Sequence, residues 1–285
     1  MSDLSLTDTP AKLQALVEDL RDQPWLAVDT EFYRERTYRP QLCLLQLCTP
    51  DQRVGLVDAM ALDDLTPLME LLYTPGMIKV LHSARQDLEL LYWMQGSVPT
   101  DLFDTQLAAE HLGHAKQIGY GNLVRERLEV DLDKACTRID WRKRPLSEEA
   151  LQYAADDVIY LAQLYPVMRD KLEAEHTEKL LQELEVLTRA ETYEPPADEV
   201  WLRIKGSDRL KGSAASILQA LASWRELTAR ERDLPRGWLV KDGVLMGMAK
   251  RAPGTMNELR QIKNPPPRTL QRRGKLLLRI IAENR

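Results

Sequence analysis

Histidine, cysteine and phenylalanine are scarce in this chain: four, three and two among 285 residues. Cys43, Cys48 and Cys136 show no paired metal spacing, and an odd count does not make a disulfide framework. His111 and His114 lack a third partner, which reads against a zinc centre. No apolar run approaches the roughly 20 residues that cross a bilayer. Internal repeats and low-complexity tracts are also missing. The opening MSDLSLTDTPAKLQ is polar and acidic, unlike a secretory leader. Free thiols and no leader lead to an expectation of a reducing cytoplasm.

What the chain does have is apolar content of 44% and a charge split along its length. The length fits one large or two ordinary domains. Residues 1–197 hold 20 Lys+Arg against 35 Asp+Glu, a balance of −15; residues 198–285 hold 19 against 9, a balance of +10. A basic module behind an acidic body points to an anionic partner such as nucleic acid. EPPADE at 194–199 reads as a linker between them.

Hydrophobic periodicity gives a coarse order of elements. AKLQALVEDLRDQ reads as a helix. WLAVDTEF, PQLCLLQLCT and RVGLVDA read as strands joined by short turns, a β-meander. DDLTPLMELLYT is helical, MIKVLHSA a strand and ARQDLELLYWMQG a helix. Alternation of this kind indicates an α/β layer architecture. TDLFDTQLAAEHLG reads as helix, IGYGNL as a loop, and LSEEALQYAADDVIYLAQLYPVMRDKLEAEH as helix, with Pro166 starting or kinking one. SAASILQALASWRELTARERD is an amphipathic helix, and the remainder reads as short helices split by Pro and Gly.

LAVDTEF places two acids at the end of an apolar strand. Side chains alternate along a strand, so Asp29 and Glu31 share a face. Asp87 sits just inside a helix that begins where a second strand ends, a position that lines the crevice of an α/β sheet. Tyr153 and Asp157 are four apart on a helix and share a face, whereas Asp156 is turned away by about 100°. Singly, each acid reads better as a solvated or dipole-stabilised carboxylate than as part of a site. Gathered together, four carboxylates repel unless cations hold them. All-oxygen ligands suit Mg²⁺ or Mn²⁺. Two such ions about 3.5–4 Å apart are a known device for in-line displacement at phosphorus.

Asp29-Thr-Glu31, His82…Asp87 and Tyr153-x-x-x-Asp157, with VDTEF, DLFDTQLAAEHLG, GYGNLV and DWRKRPLSEEALQYAADDV around them, resemble the tyrosine branch of the DEDD 3′-5′ exonucleases, ribonuclease D in particular. WRELTARERDLPRGWLVKDGVLMGMAKRAPGTMNELRQI resembles an HRDC domain, although NPPPRTLQRRGK is unusually rich in proline, and one copy is seen where some relatives carry two. The resemblance implies an α/β, RNase H-like exonuclease domain with a mixed sheet, its first three strands antiparallel, plus a small all-α HRDC domain. The expected boundaries are 1–170 for the exonuclease, 171–207 for a helical linker and 208–285 for HRDC. It implies 3′→5′ hydrolysis of RNA to nucleoside 5′-monophosphates, with tRNA precursors and other structured RNAs as substrates and no obligate protein partner or membrane.

The resemblance also implies roles. Asp29, Glu31 and Asp157 hold one divalent cation; Asp29 bridges to a second, which Asp87 reaches directly or through water. Tyr153 orients the attacking water. Glu31 accepts from the terminal 3′-hydroxyl, and Phe32 presses on the terminal base. Arg142 and Arg144, with Lys143 between them, are expected phosphate contacts just before the third motif. Arg268, Arg272, Arg273 and Lys275 are expected on the RNA backbone. His82 reads as a structural hydrogen-bonding residue, and the six tryptophans mostly as core anchors. A DNA exonuclease, a non-catalytic RNA-binding protein and an HRDC-mediated adaptor remain as rivals.

Overall fold

WLAVDTEFY, rich in aliphatic, β-branched and aromatic residues, forms the central strand of a six-stranded sheet. The computed structural model describes residues 4–132, 139–264 and 266–285, so Cys136 lies outside the described residues. These residues divide into two units, Met1–Tyr33 with Pro40–Tyr193 and Arg34–Arg39 with Glu194–Arg285. The first unit runs β1 (Leu6–Thr7), α1 (Pro10–Leu20), β2 (Trp25–Tyr33), β3 (Gln41–Cys48), β4 (Val54–Asp58), α2 (Thr66–Leu72) and β5 (Ile78–Leu81). It continues through α3 (Arg85–Gln95), β6 (Leu102–Asp104), α4 (Thr105–His111), α5 (Tyr120–Leu128), α6 (Glu148–Arg169) and α7 (Ala174–Thr188).

The strand order is β1-β4-β3-β2-β5-β6. β2, β3 and β4 pair antiparallel, as expected of a meander. β5 and then β6 add parallel pairs on one side of the meander and the short β1 on the other. Alternation sends Leu45 and Leu47 of β3 to the main core, together with Leu88 and Leu91 of α3. Leu44 of β3 and Leu56 of β4 instead pack with Ala150 and Ala154 of α6. The small alanines let that long helix approach the sheet. Ser147 caps α6 by accepting from the Ala150 N–H at 3.2 Å, and Glu148 and Glu149 suit its positive end. Gly96 closes α3 in the left-handed region, at φ 76°, which glycine adopts without strain.

Several local readings change. DLFDTQ begins as β6, pairing parallel with β5, before α4 starts; pairing overrode helical propensity. The two glycines of IGYGNL do not make a loop, because Gly119 is the cap of α5 and Gly121 lies within it. The long helix is two, α6 and α7, with Pro166 inside α6 rather than starting a new helix. The 171–207 linker is divided between the units: Leu180 and Leu184 belong to the first core, Val200 and Ile204 to the second.

The second unit is helical, with α8 (Ser213–Arg232), α9 (Arg236–Leu239), α10 (Asp242–Arg251), α11 (Met256–Arg260) and α12 (Pro267–Glu283). Ile217, Leu218, Leu245, Met248, Leu277 and other apolar side chains close its core. Within it Glu226 is 1% exposed and meets the Tyr38 hydroxyl at 2.5 Å and the Arg236 Nε at 2.5 Å. Burial would raise this carboxyl, but the Arg236 and Tyr38 hydrogen bonds and the arginine charges hold it down, to about 2.

Candidate active site

The strand register delivers the first two acids. Asp29 and Glu31 lie near the end of β2 and pair with Gln46 and Leu44 of β3, so both point toward α6. A bulge follows at once, between Glu31 and Phe32. Bulges re-aim side chains and are common beside active sites. The helix delivers the third acid. Asp157 lies one turn beyond Tyr153 on α6, and its oxygens join those of Asp29 and Glu31 within 4.8 Å of one another. Asp156 faces elsewhere and accepts from the Gln152 side chain at 2.7 Å.

Asp87, in the first turn of α3, is 7% exposed and accepts from the Thr30 hydroxyl at 2.5 Å. Thr30 lies between the two strand acids and points to the opposite face, so Asp87 stands beside the trio, outside the 4.8 Å set. Its charge is still felt, because it helps to raise Glu31.

The electrostatics are those of crowded acids, with Asp87 buried and Asp29, Glu31 and Asp157 partly so. Burial first, then Asp157, pushes Asp29 up to about 8. Burial, Asp29, Asp157 and Asp87 push Glu31 up to about 9. Asp157 is raised to about 7 by burial and Asp156, against a hydrogen bond from Tyr153. Asp87 is raised well above the ordinary range by burial and by Asp29. No arginine or lysine neutralises the cluster in any of these shifts. Hard oxygen donors at this spacing, short of positive charge, fit a divalent cation of the Mg²⁺ or Mn²⁺ kind.

The surrounding side chains are partly as expected from sequence. The Tyr153 phenol is pushed above its ordinary value by burial and by Asp157, Glu31 and Asp29, so it stays protonated. His82 is engaged at both ring nitrogens, Nδ1 with Thr105 Oγ1 at 2.9 Å and Nε2 with the Ile118 carbonyl at 3.2 Å. It is a structural residue. Arg144 corrects an expectation. Its Nε and one Nη bind Asp58 at 2.6 Å each, and its remaining N–H groups reach the carbonyls of Trp141, Lys143 and Cys43. With all five donors engaged, Arg144 is a clamp between β4 and the segment before α6, and has no donor for phosphate. Arg142 pairs with Asp140 and lies 3.7 Å over the Tyr33 ring, two residues beyond Glu31. Phe32 is half-buried next to the bulge.

Three supporting residues were missed. Thr30 holds Asp87. The Tyr120 hydroxyl donates to the Asp157 carbonyl at 2.5 Å and pins that turn of α6. Asp104 accepts from the backbone N–H groups of Ser83, Ala84, Gln106 and Leu107, tying the start of α3 to the start of α4. Only Asp104 had a signal in the sequence, an Asp directly before a helical run.

The 3′-5′ exonuclease family profile matches residues 5–173, and the HRDC domain profile matches residues 214–281. Over 273 residues the chain is 39% identical to ribonuclease D of Pseudomonas paraeruginosa, covering 96% of this chain and 72% of the relative. The chain belongs to the ribonuclease D family. Ribonuclease D of Sphingobium indicum is 40% identical over 242 residues, 84% of this chain and 62% of the relative. The crystal structure of Escherichia coli RNase D, described as an exoribonuclease involved in structured RNA processing, superimposes with a TM-score of 0.87 at 32% identity. That match covers 99% of this chain and 75% of the other. The ribonuclease D resemblance, the mixed-sheet exonuclease fold and the added helical HRDC domain all stand. Family membership makes the protein a 3′-5′ exoribonuclease. In this ribonuclease D-family chain, the three gathered acids are those of the first and third motifs.

Proposed function

We propose that this chain removes nucleotides one at a time from RNA 3′ ends and releases nucleoside 5′-monophosphates. The observation that carries the reading is the set of Asp29, Glu31 and Asp157 oxygens within 4.8 Å, with no lysine or arginine among the causes of their shifts. Asp29, Glu31 and Asp157 would hold one divalent cation, Mg²⁺ or Mn²⁺; Asp29 and Asp87 would hold a second. When bound, such ions acidify water and neutralise charge that builds up at phosphorus.

The protein's own groups do the rest. Tyr153 stays protonated, so its hydroxyl would position the attacking water rather than deprotonate it. Thr30 holds Asp87, and Tyr120 holds the Asp157 backbone, so that the acids need little rearrangement. Glu31 accepts from the terminal 3′-hydroxyl, and Phe32 packs against the terminal base; together they make the site read an end. Arg142, stacked on Tyr33, faces the incoming phosphates.

The helical unit supplies further grip. A surface pocket of about 200 Å³ is lined by Trp224, Trp238, Arg232, Arg268, Arg272 and Arg273 among others. Trp238 is 58% exposed, unlike the buried Trp25 and Trp141, so it is free to stack on a base while arginines meet the backbone. Precursors of tRNA and other structured RNAs with accessible 3′ ends are the proposed substrates, in keeping with the described role of the Escherichia coli enzyme. Cytoplasmic action is consistent with the free, buried Cys43 and Cys48. No helix of the described residues is long and apolar enough to cross a membrane.

End recognition gives the test. On matched RNA oligomers, a 3′-phosphate in place of the 3′-hydroxyl is expected to slow release of 5′-monophosphates by about tenfold or more, the effect of one lost hydrogen bond to a charged group. Chromatography of the products reads both rate and identity. Equal rates on both ends, or products with 3′-phosphates, would overturn the reading.

A further inference from the structure

Gln46 is the one polar residue inside the apolar core of β3, QLCLLQLC, and it is fully buried. Neither its side-chain nitrogen nor its oxygen has a hydrogen-bond partner among the described residues. Buried amides are almost always satisfied, and one left unpaired destabilises the fold. Leu or Met would fill the same space at no such cost. Retention of a glutamine here therefore points to a state in which the amide has a partner.

The register identifies that partner. Gln46 lies directly opposite Asp29 across the β2–β3 ladder. Directly opposed residues point to the same face with Cβ atoms about 4.5–5.5 Å apart, within reach of a glutamine amide. Leu45 and Leu47 on either side face the other way, into the main core. Asp29 is partly buried, and the one hydrogen bond among the causes of its shift comes from the backbone of Thr30. An ionised carboxylate with a cation on one side keeps lone pairs for a donor on the other. Groups that supply such donors orient the ligand and support its charge.

We propose that Gln46 is a positioning residue: its side-chain N–H groups hold the Asp29 carboxylate in the orientation that takes the cation. The protein carries an unsatisfied amide in its metal-free form and satisfies it on loading. This rests on the reading of Asp29 as a cation ligand, and the experiment separates the two.

The 285-residue wild-type chain and its Gln46→Met variant are titrated with Mn²⁺ by calorimetry, and each is melted in chelator. The proposal expects Mn²⁺ affinity to fall by about tenfold or more in Gln46→Met. It also expects the metal-free variant to melt at or above the wild-type temperature, because an orphaned polar group is gone. A merely structural glutamine gives the reverse: a lower melting temperature with unchanged affinity. Affinity within twofold of wild type overturns the proposal whatever the melting temperature. Failure of the wild type itself to take Mn²⁺ would instead overturn the cation reading. Should Gln46→Met fold poorly, ¹⁵N spectra of the wild type decide. The Gln46 side-chain NH₂ resonances should shift on Mg²⁺ addition, and static resonances overturn the proposal.

Discussion

Asp29→Asn is expected to lower turnover on RNA by about a thousandfold, since charge stabilisation by a bound cation supplies several kcal/mol and each 1.36 kcal/mol is tenfold in rate. The expected loss is large because Asp29 lies at the centre of the cluster. It raises Glu31 and Asp87 by its charge and shares the 4.8 Å set with Glu31 and Asp157. The amide keeps the shape and loses the charge that attracts a cation. Folding should not suffer. A buried acid pushed up to about 8 by burial and by a like charge is a source of strain, and its removal relieves both. Thermal melting of the metal-free variant should therefore lie at or above wild type. A melting temperature several degrees lower, with activity lost in proportion, would make Asp29 structural.

Metal-dependent stabilisation that grows with pH is the second large effect. Without cation, Asp157, Asp29 and Glu31 are raised to about 7, 8 and 9. In the unfolded chain these groups titrate near about 4. Between those limits the native state binds more protons than the unfolded state, so stability falls as pH rises. The metal-free protein should thus melt progressively lower from about pH 5 to about pH 9 through this cluster. A cation that binds the ionised acids reverses the trend, because it competes with protons. A metal concentration about a hundred times its dissociation constant adds about 2.7 kcal/mol. Since affinity climbs as the protons leave, Mg²⁺ should raise the melting temperature far more at about pH 8.5 than at about pH 6. Equal gains at both pH values would show that the acids are not the ligands. Loss of stability with Mg²⁺ at the higher pH would show the same.

Features encoded by local spacing were legible from the sequence. Alternation along β2 placed Asp29 and Glu31 on one face, and the four-residue interval placed Asp157 with Tyr153 and turned Asp156 away, where it accepts from Gln152. The antiparallel β2–β4 meander was likewise readable from short turns between apolar runs. Features set by distant partners were not. Arg144 looks like a phosphate contact in WRKRP, yet its partner Asp58 lies 86 positions earlier. The β6 strand has three residues, too few for a period, and exists because β5 offers an edge. Gln46 carries no signal in the sequence, because the β2–β3 register alone sets it against Asp29.

Crystals grown with Mn²⁺ and measured at the manganese absorption edge would locate the cations directly. Anomalous peaks should lie among the Asp29, Glu31 and Asp157 carboxylates, with a second beside Asp29 and Asp87. Occupied manganese sites elsewhere and none at these acids would contradict the proposed chemistry.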